Sequence, residues 1–143
     1  MVDEKQQKED ERWMKKAIQL AKKGVGATHP NPRVGAVVVK NGVIAGEGWH
    51  QRAGEPHAEI NALQKAGSNA RGGTIYVTLE PCSSTGKTPP CTEAIQRAGI
   101  WRVVYASSDP NPKMAGGGKL LEAHNVDVTS GVLAEEADRL NEP

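Results

Sequence analysis

Two periodicities divide this chain. Trp13, Ala17, Leu20 and Ala21 recur at helical spacing, and Gly24 supplies a natural stop. Val34 to Lys40 is a buried-strand pattern. Asn41-Gly42 follows as a strong hairpin turn, and Val43 to Trp49 returns as the antiparallel partner. His57 to Ala66 has helical composition, with Ile60, Ala62 and Leu63 available to face inward and Gly67 at its end. Thr74 to Leu79 is a short β-rich run closed by Glu80-Pro81, and a helix is expected from about Cys91 to Gly99. Ile100 to Ala106 reads as a further strand. The Pro- and Gly-rich stretch from Ser107 to Gly118 is a loop, Lys119 to His124 a short helix, Val126 to Thr129 a last strand and Leu133 to Leu140 a last helix.

The order is helix, hairpin, then helices alternating with strands. Such alternation implies parallel neighbours, right-handed crossovers and helices on both sheet faces. The hairpin contributes one antiparallel strand. The expected fold class is therefore α/β: a three-layer α/β/α sandwich around a mixed five-stranded sheet. The charged residues 1–11 read as a frayed or solvated start, and residues 12–143 as one domain, without repeats or an internal linker.

Composition narrows the function classes. At 143 residues the chain can bury one core. Its longest apolar run, Ala36-Val37-Val38-Val39, is too short to cross a bilayer, and no secretory signal is visible at the charged N-terminus. A net charge of +1 offers no footprint for nucleic acid, and 3% aromatic residues offer few stacking platforms. Two cysteines without a secretion signal suit a reducing compartment, the cytoplasm, where thiols serve as metal ligands more readily than as a disulfide.

The chemistry concentrates in His57-Ala58-Glu59, Pro81-Cys82 and Cys91. His57, Cys82 and Cys91 are three zinc-competent ligands. Three protein ligands characterise a catalytic zinc site, whereas a structural one closes with four. His-x-Glu followed by Pro-Cys-x-x-Cys marks the zinc-dependent nucleobase deaminases; here eight residues, not two, separate the cysteines. With His57 and Cys91 at helix starts, two helix N-termini would converge and favour negative charge. Glu59 is then expected beside a zinc-activated water as the proton shuttle. His50 is the residue that could instead close a structural tetrahedron, and either cysteine could be a buried small hydrophobe.

These motifs resemble the deaminase domain of the bacterial bifunctional pyrimidine deaminase/reductase family of riboflavin biosynthesis, over Met14 to Pro143. The resemblance is carried by His29-Pro30-Asn31-Pro32-Arg33-Val34-Gly35, Gly54-Glu55-Pro56-His57-Ala58-Glu59 and Thr78-Leu79-Glu80-Pro81-Cys82-Ser83. It extends to Gly86-Lys87-Thr88-Pro89-Pro90-Cys91 and Asp109-Pro110-Asn111-Pro112. The long gap between the cysteines is typical of that family and unlike the tRNA adenosine, cytidine and guanine deaminases. The resemblance implies a cytidine-deaminase-like fold, zinc on His57, Cys82 and Cys91, and Glu59 as proton shuttle. It further implies substrate contacts from Asn31, His50, Lys87, Asp109 and Asn111. The implied reaction deaminates 2,5-diamino-6-ribosylamino-4(3H)-pyrimidinone 5′-phosphate to 5-amino-6-ribosylaminouracil 5′-phosphate and ammonia.

One departure is Ser84, where many members of that family have His. It keeps open a deaminase of another pyrimidine or purine base or nucleoside, and a non-catalytic zinc module is the third reading. No reductase is expected within the chain, so that activity would come from a separate protein or a missing C-terminal domain, and association into a homo-oligomer is in keeping with the family. Gly116-Gly117-Gly118 lacks the ending of a phosphate-binding loop and reads as a flexible lead into a helix. Trp13, Trp49 and Trp101 read as packing residues.

Overall fold

The computed structural model describes residues 3–24, 33–50, 57–81, 91–108 and 116–141. Helix α1, Glu4–Ala21, starts at an Asp3 cap whose carboxylate accepts from the Gln6 backbone N–H at 2.8 Å. Strands β1, Gly35–Lys40, and β2, Val43–Trp49, form the hairpin. Asn41 and Gly42 both have positive φ, 54° and 76°, which is the turn twist that suits flanking β-strands. Helix α2, Ala58–Ala66, precedes β3, Thr74–Leu79; α3, Cys91–Arg97, precedes β4, Arg102–Ser107. Helix α4, Gly117–Ala123, β5, Asp127–Thr129, and α5, Ala134–Asp138, complete the order.

The five strands lie in the order β2-β1-β3-β4-β5. Strand β1 is antiparallel to β2 and β3, and β3, β4 and β5 are parallel. Period-two alternation sorts the sheet into two buried faces. Ala36, Val38, Ile75, Val77, Val103 and Tyr105 meet the buried residues of α2, α3 and α4. Val37, Val39, Tyr76, Val104 and Ala106 meet α1 and the C-terminal helical segment. The three-layer arrangement with one antiparallel strand inside the sheet is the architecture that the hydrophobic pattern implies.

Small residues bring helices close to the sheet. A Cβ on Gly35 would lie 1.9 Å from the Ala17 carbonyl oxygen, so α1 rests directly on β1. Within α2 the buried positions are Ala58, Glu59, Ala62, Leu63 and Ala66. Ile60 is only partly covered, so the inward stripe expected through Ile60 runs through alanines instead. Of the tryptophans, Trp13 is buried, Trp49 is half-buried with Lys23 and Lys65 ammonium groups 4.6 Å and 5.3 Å from its ring, and Trp101 is 54% exposed. Trp101 is therefore not a packing residue; it stands just outside the first residue of β4.

The charged start, expected to be frayed or solvated, is solvated but helical. Residues 3–8 are exposed, but they are helical, and Asp10 is 1% exposed. Its carboxylate accepts two bonds from the Arg102 guanidinium, at 2.9 Å and 2.8 Å, and others from the Tyr76 hydroxyl and Gln6. Arg102 also donates to Thr129 and pairs with Asp127. A bidentate pair whose lone pairs are satisfied can be held inside a fold, whereas losing one partner leaves a buried charge.

Burial by itself would raise the Asp10 carboxyl, but the bonds from Arg102, Gln6 and Tyr76 outweigh it and hold the group below its ordinary value. The unfolded chain therefore takes up the proton first. This contribution is complete above the unfolded value of about 4 and is lost as pH falls through the lower folded value. Asp10→Asn is expected to cost about 3–5 kcal/mol at pH 7, measured by urea unfolding. Wild-type stability should then fall more steeply than the variant's below about pH 4; parallel acid profiles would rule out this role for Asp10.

Candidate active site

Helix α2 is placed by its contact with β2. A Cβ on Gly46 would stand 2.3 Å from the Ala62 carbonyl oxygen, and one on Gly48 would stand 2.5 Å from the Ala58 carbonyl oxygen. No side chain separates the two backbones there. The Asn61 amide donates to the Trp49 carbonyl at 3.0 Å and locks the first turn of α2 to the end of β2. His57 caps α2 in extended conformation, φ −68° and ψ 164°, with no capping bond from its own side chain. Its ring turns instead toward the start of α3.

There the Cys91 sulfur lies 3.4 Å from His57 Nδ1. Cys91 is the first residue of α3 and is buried. Two helix N-termini thus meet at one thiol and one imidazole, where their unpaired N–H groups favour negative charge. A tetrahedral zinc with a Zn–S bond of ~2.3 Å and a Zn–N bond of ~2.0–2.1 Å would hold two such ligands about 3.5 Å apart. The observed separation fits that edge, and it is also the reach of a thiol–imidazole hydrogen bond. Glu59, two residues after His57 in the first turn of α2, is 4% exposed. A carboxylate withdrawn from water on the turn beside the pair is suited to proton transfer.

His50 is also buried, and its ring stands 5.3 Å from that of His57, edge to face at 63°. Its backbone N–H donates to the Val34 carbonyl at 3.0 Å, which fixes the strand end that carries it. Among the described residues no three His, Cys, Asp or Glu side chains form a metal-holding group, so His50 does not join His57 and Cys91 in one. Cys82, Asn31, Lys87, Asp109 and Asn111 lie outside the described residues, as does Ser84. The structure therefore brings together His57, Cys91 and His50, with Glu59 on the adjoining helical turn.

Two contributors escaped the sequence reading. Glu80, 7% exposed, accepts from the Gly118 backbone N–H at 3.0 Å and from the Tyr105 hydroxyl at 3.3 Å. Burial first, and the Glu80 charge second, push the Tyr105 hydroxyl above its ordinary value. Gly117 packs so closely that an added Cβ would lie 1.9 Å from the Pro81 carbonyl oxygen. Gly117 and Gly118 are thus tight packing positions where α4 begins, whereas Gly116, at φ 97° with open space around it, supplies the left-handed turn that leads in. A Glu beside a Pro-Cys pair was the available signal for Glu80; nothing local marks its distant partners.

Residues 7–107 match the family described as the cytidine and deoxycytidylate deaminase zinc-binding region. The chain is 54% identical over 134 residues to riboflavin biosynthesis protein RibD of Escherichia coli (strain K12), covering 93% of this chain and 36% of that protein. It is 55% identical over 130 residues to the diaminohydroxyphosphoribosylamino-pyrimidine deaminase of Buchnera aphidicola subsp. Acyrthosiphon pisum (strain APS), covering 90% of this chain and 88% of that protein. The solved structure of Acinetobacter baumannii RibD superimposes with a TM-score of 0.92 at 49% identity, over 94% of this chain and 38% of that one. The chain thus spans a little over a third of the length of the RibD relatives it matches.

The glycine contact between β2 and α2 carries a direct consequence. Gly48→Ala is expected to cost about 1–3 kcal/mol, since backbone atoms on α2 must move to admit the methyl group. Denaturant unfolding measures it, and a variant as stable as the parent would show that α2 does not depend on that approach.

Proposed function

Given that the chain belongs to the cytidine and deoxycytidylate deaminase zinc-binding family, and within it to the diaminohydroxyphosphoribosylamino-pyrimidine deaminases, we propose that it is a zinc-dependent hydrolytic deaminase of riboflavin biosynthesis. The observation that carries this reading is the 3.4 Å approach of Cys91 Sγ to His57 Nδ1 at two helix starts, with buried Glu59 in the adjoining turn. The substrate is 2,5-diamino-6-ribosylamino-4(3H)-pyrimidinone 5′-phosphate, and the products are 5-amino-6-ribosylaminouracil 5′-phosphate and ammonia. The names of the Buchnera and E. coli relatives support this choice.

His57, Cys82 and Cys91 would hold the zinc. When bound, the ion would lower the pKa of its water to about 7, so that hydroxide is available at neutral pH. Glu59 would take a proton from the attacking water and hand it to a ring nitrogen, then take the remaining hydroxyl proton and deliver it to the departing amine. The water oxygen forms the new bond to C2, the C2–N bond breaks, and ammonia leaves. The burial of Glu59 excludes solvent that would compete for its proton.

Asn31 offers donor and acceptor to the pyrimidine edge, and Lys87 meets the phosphate as a point charge. Asp109 and Asn111 bind sugar hydroxyls or amines. His50 contacts the base or phosphate, and its ring beside His57 supports that assignment. The following reduction in the pathway falls to a separate protein or a further domain.

The test is ammonia release from the diaminopyrimidinone nucleotide, with cytidine and guanine as comparison substrates and a chelator-treated sample as control. Turnover of that nucleotide, lost on chelation and restored by zinc, is the expected result. Preference for another substrate would replace the substrate assignment. Glu59→Gln is expected to keep the fold and the zinc while losing about 10²–10⁴-fold in kcat. Near-normal turnover by that variant would remove Glu59 from the proton path.

A further inference from the structure

A Cys-x-x-Cys turn sets the separation of its two sulfurs through its own short backbone. Here eight residues lie between Cys82 and Cys91, and a loop of that length leaves the separation open. The separation must be set by whatever holds the residues on either side. The structure describes both flanks: Glu80-Pro81 before Cys82, and Cys91-Thr92 at the start of α3.

Both flanks meet the first turn of α4. A Cβ built on Gly117 would lie 1.9 Å from the Pro81 carbonyl oxygen and 3.3 Å from Thr92 Cγ2. Gly117 is therefore wedged between the neighbour of one cysteine and the neighbour of the other. Pro81 and Thr92 are fully buried, so neither flank can give way into solvent.

Glu80 holds the wedge in place. Its backbone N–H donates to the Ser107 carbonyl at 2.8 Å, extending the β3–β4 ladder one residue past the Leu79–Ser107 pair. Its side-chain Oε2 accepts from Gly118 N–H and from the Tyr105 hydroxyl. A Cβ on Gly118 would stand 3.2 Å from the Glu80 Oε2 atom and 3.0 Å from the Tyr105 hydroxyl, so the carboxylate fits closely against that turn. One buried side chain thus ties the end of β3, the end of β4 and the start of α4 together, directly before Cys82.

We propose that Glu80 is a positioning residue: by fastening the glycine turn of α4 to the end of β3, it sets the distance between the two cysteine thiolates. The inference rests on the reading of Cys82 and Cys91 as zinc ligands. Glu80 touches neither metal nor substrate in this role. It acts through Gly117 and Gly118 on the backbone that carries the ligands, as groups behind a metal's own ligands commonly do.

Cobalt(II) substitution and zinc competition against a chromophoric chelator test it without reference to turnover. In the parent protein, Co²⁺ should show thiolate-to-cobalt charge transfer for two sulfurs and the intense visible bands of a tetrahedral site. Glu80→Ala should weaken zinc binding by about 10–100-fold and reduce those bands, while Glu80→Gln, which keeps an acceptor oxygen for Gly118, should stay within about threefold of the parent. If Glu80→Ala does not fold, the milder Glu80→Asp decides. Weakened zinc binding with an altered cobalt spectrum supports the proposal, and parental affinity and spectrum overturn it. A parent protein lacking the two-sulfur signature would instead overturn the zinc assignment itself, which separates the two failures.

Discussion

The close approach of helix and sheet backbones is the constraint on which this molecule depends. Gly46 and Gly48 on β2 let the Ala62 and Ala58 carbonyls of α2 come within a distance that no side chain could share. The first turn of α2, with His57 at its cap and Glu59 inside it, is placed by that contact. A wider separation would carry the imidazole away from Cys91, and a 3.4 Å approach leaves little room for error. The same device recurs where Gly35 admits α1 and where Gly117 admits the Pro81 carbonyl. Interiors packed at crystal-like density transmit such displacements instead of absorbing them.

The polar groups buried in the fold serve two ends of the parallel strands differently. At the start of β4, Arg102 gathers Asp10, Thr129 and Asp127 into a network whose groups satisfy one another. It pins the first helix to the sheet. At the other end, Glu80, Glu59, His50 and Thr92 are buried around the last residues of β3 and the starts of α2 and α3. There the buried polar groups lie close to the His57–Cys91 approach. Ligands of open α/β sheets gather at the carboxyl ends of the strands for this reason: the helix starts above them present unpaired donors.

Much of the architecture was legible because its signals are local. Asn41-Gly42 needs positive φ at both positions, and it has it. The strands Val43–Trp49 and Thr74–Leu79 and the end of α2 at Gly67 follow directly from turn and stop residues. Misreadings came where a partner far along the chain decided the outcome. The residues before Glu11 look too charged to order themselves, yet Asp10 is held by Arg102, 92 positions away. Ile60 was the obvious inward residue of α2, but the glycines of β2 favour alanine at the contact. Trp101, an apolar residue by type, stays outside, just ahead of β4.

The chain's own order of residues determined the alternation of strands and helices, the hairpin, and the sequence motifs that carry the His, the Glu and the two Cys proposed for hydrolytic chemistry. These depend on spacing and turn preference, which act over a few residues. Only the folded arrangement decided that His57 and Cys91 touch, that His50 stands beside them, and that Glu80 reaches Gly118 and Tyr105. Those contacts join positions 7 to 38 residues apart, and their geometry comes from how closely the layers pack, a quantity that no local run of residues encodes.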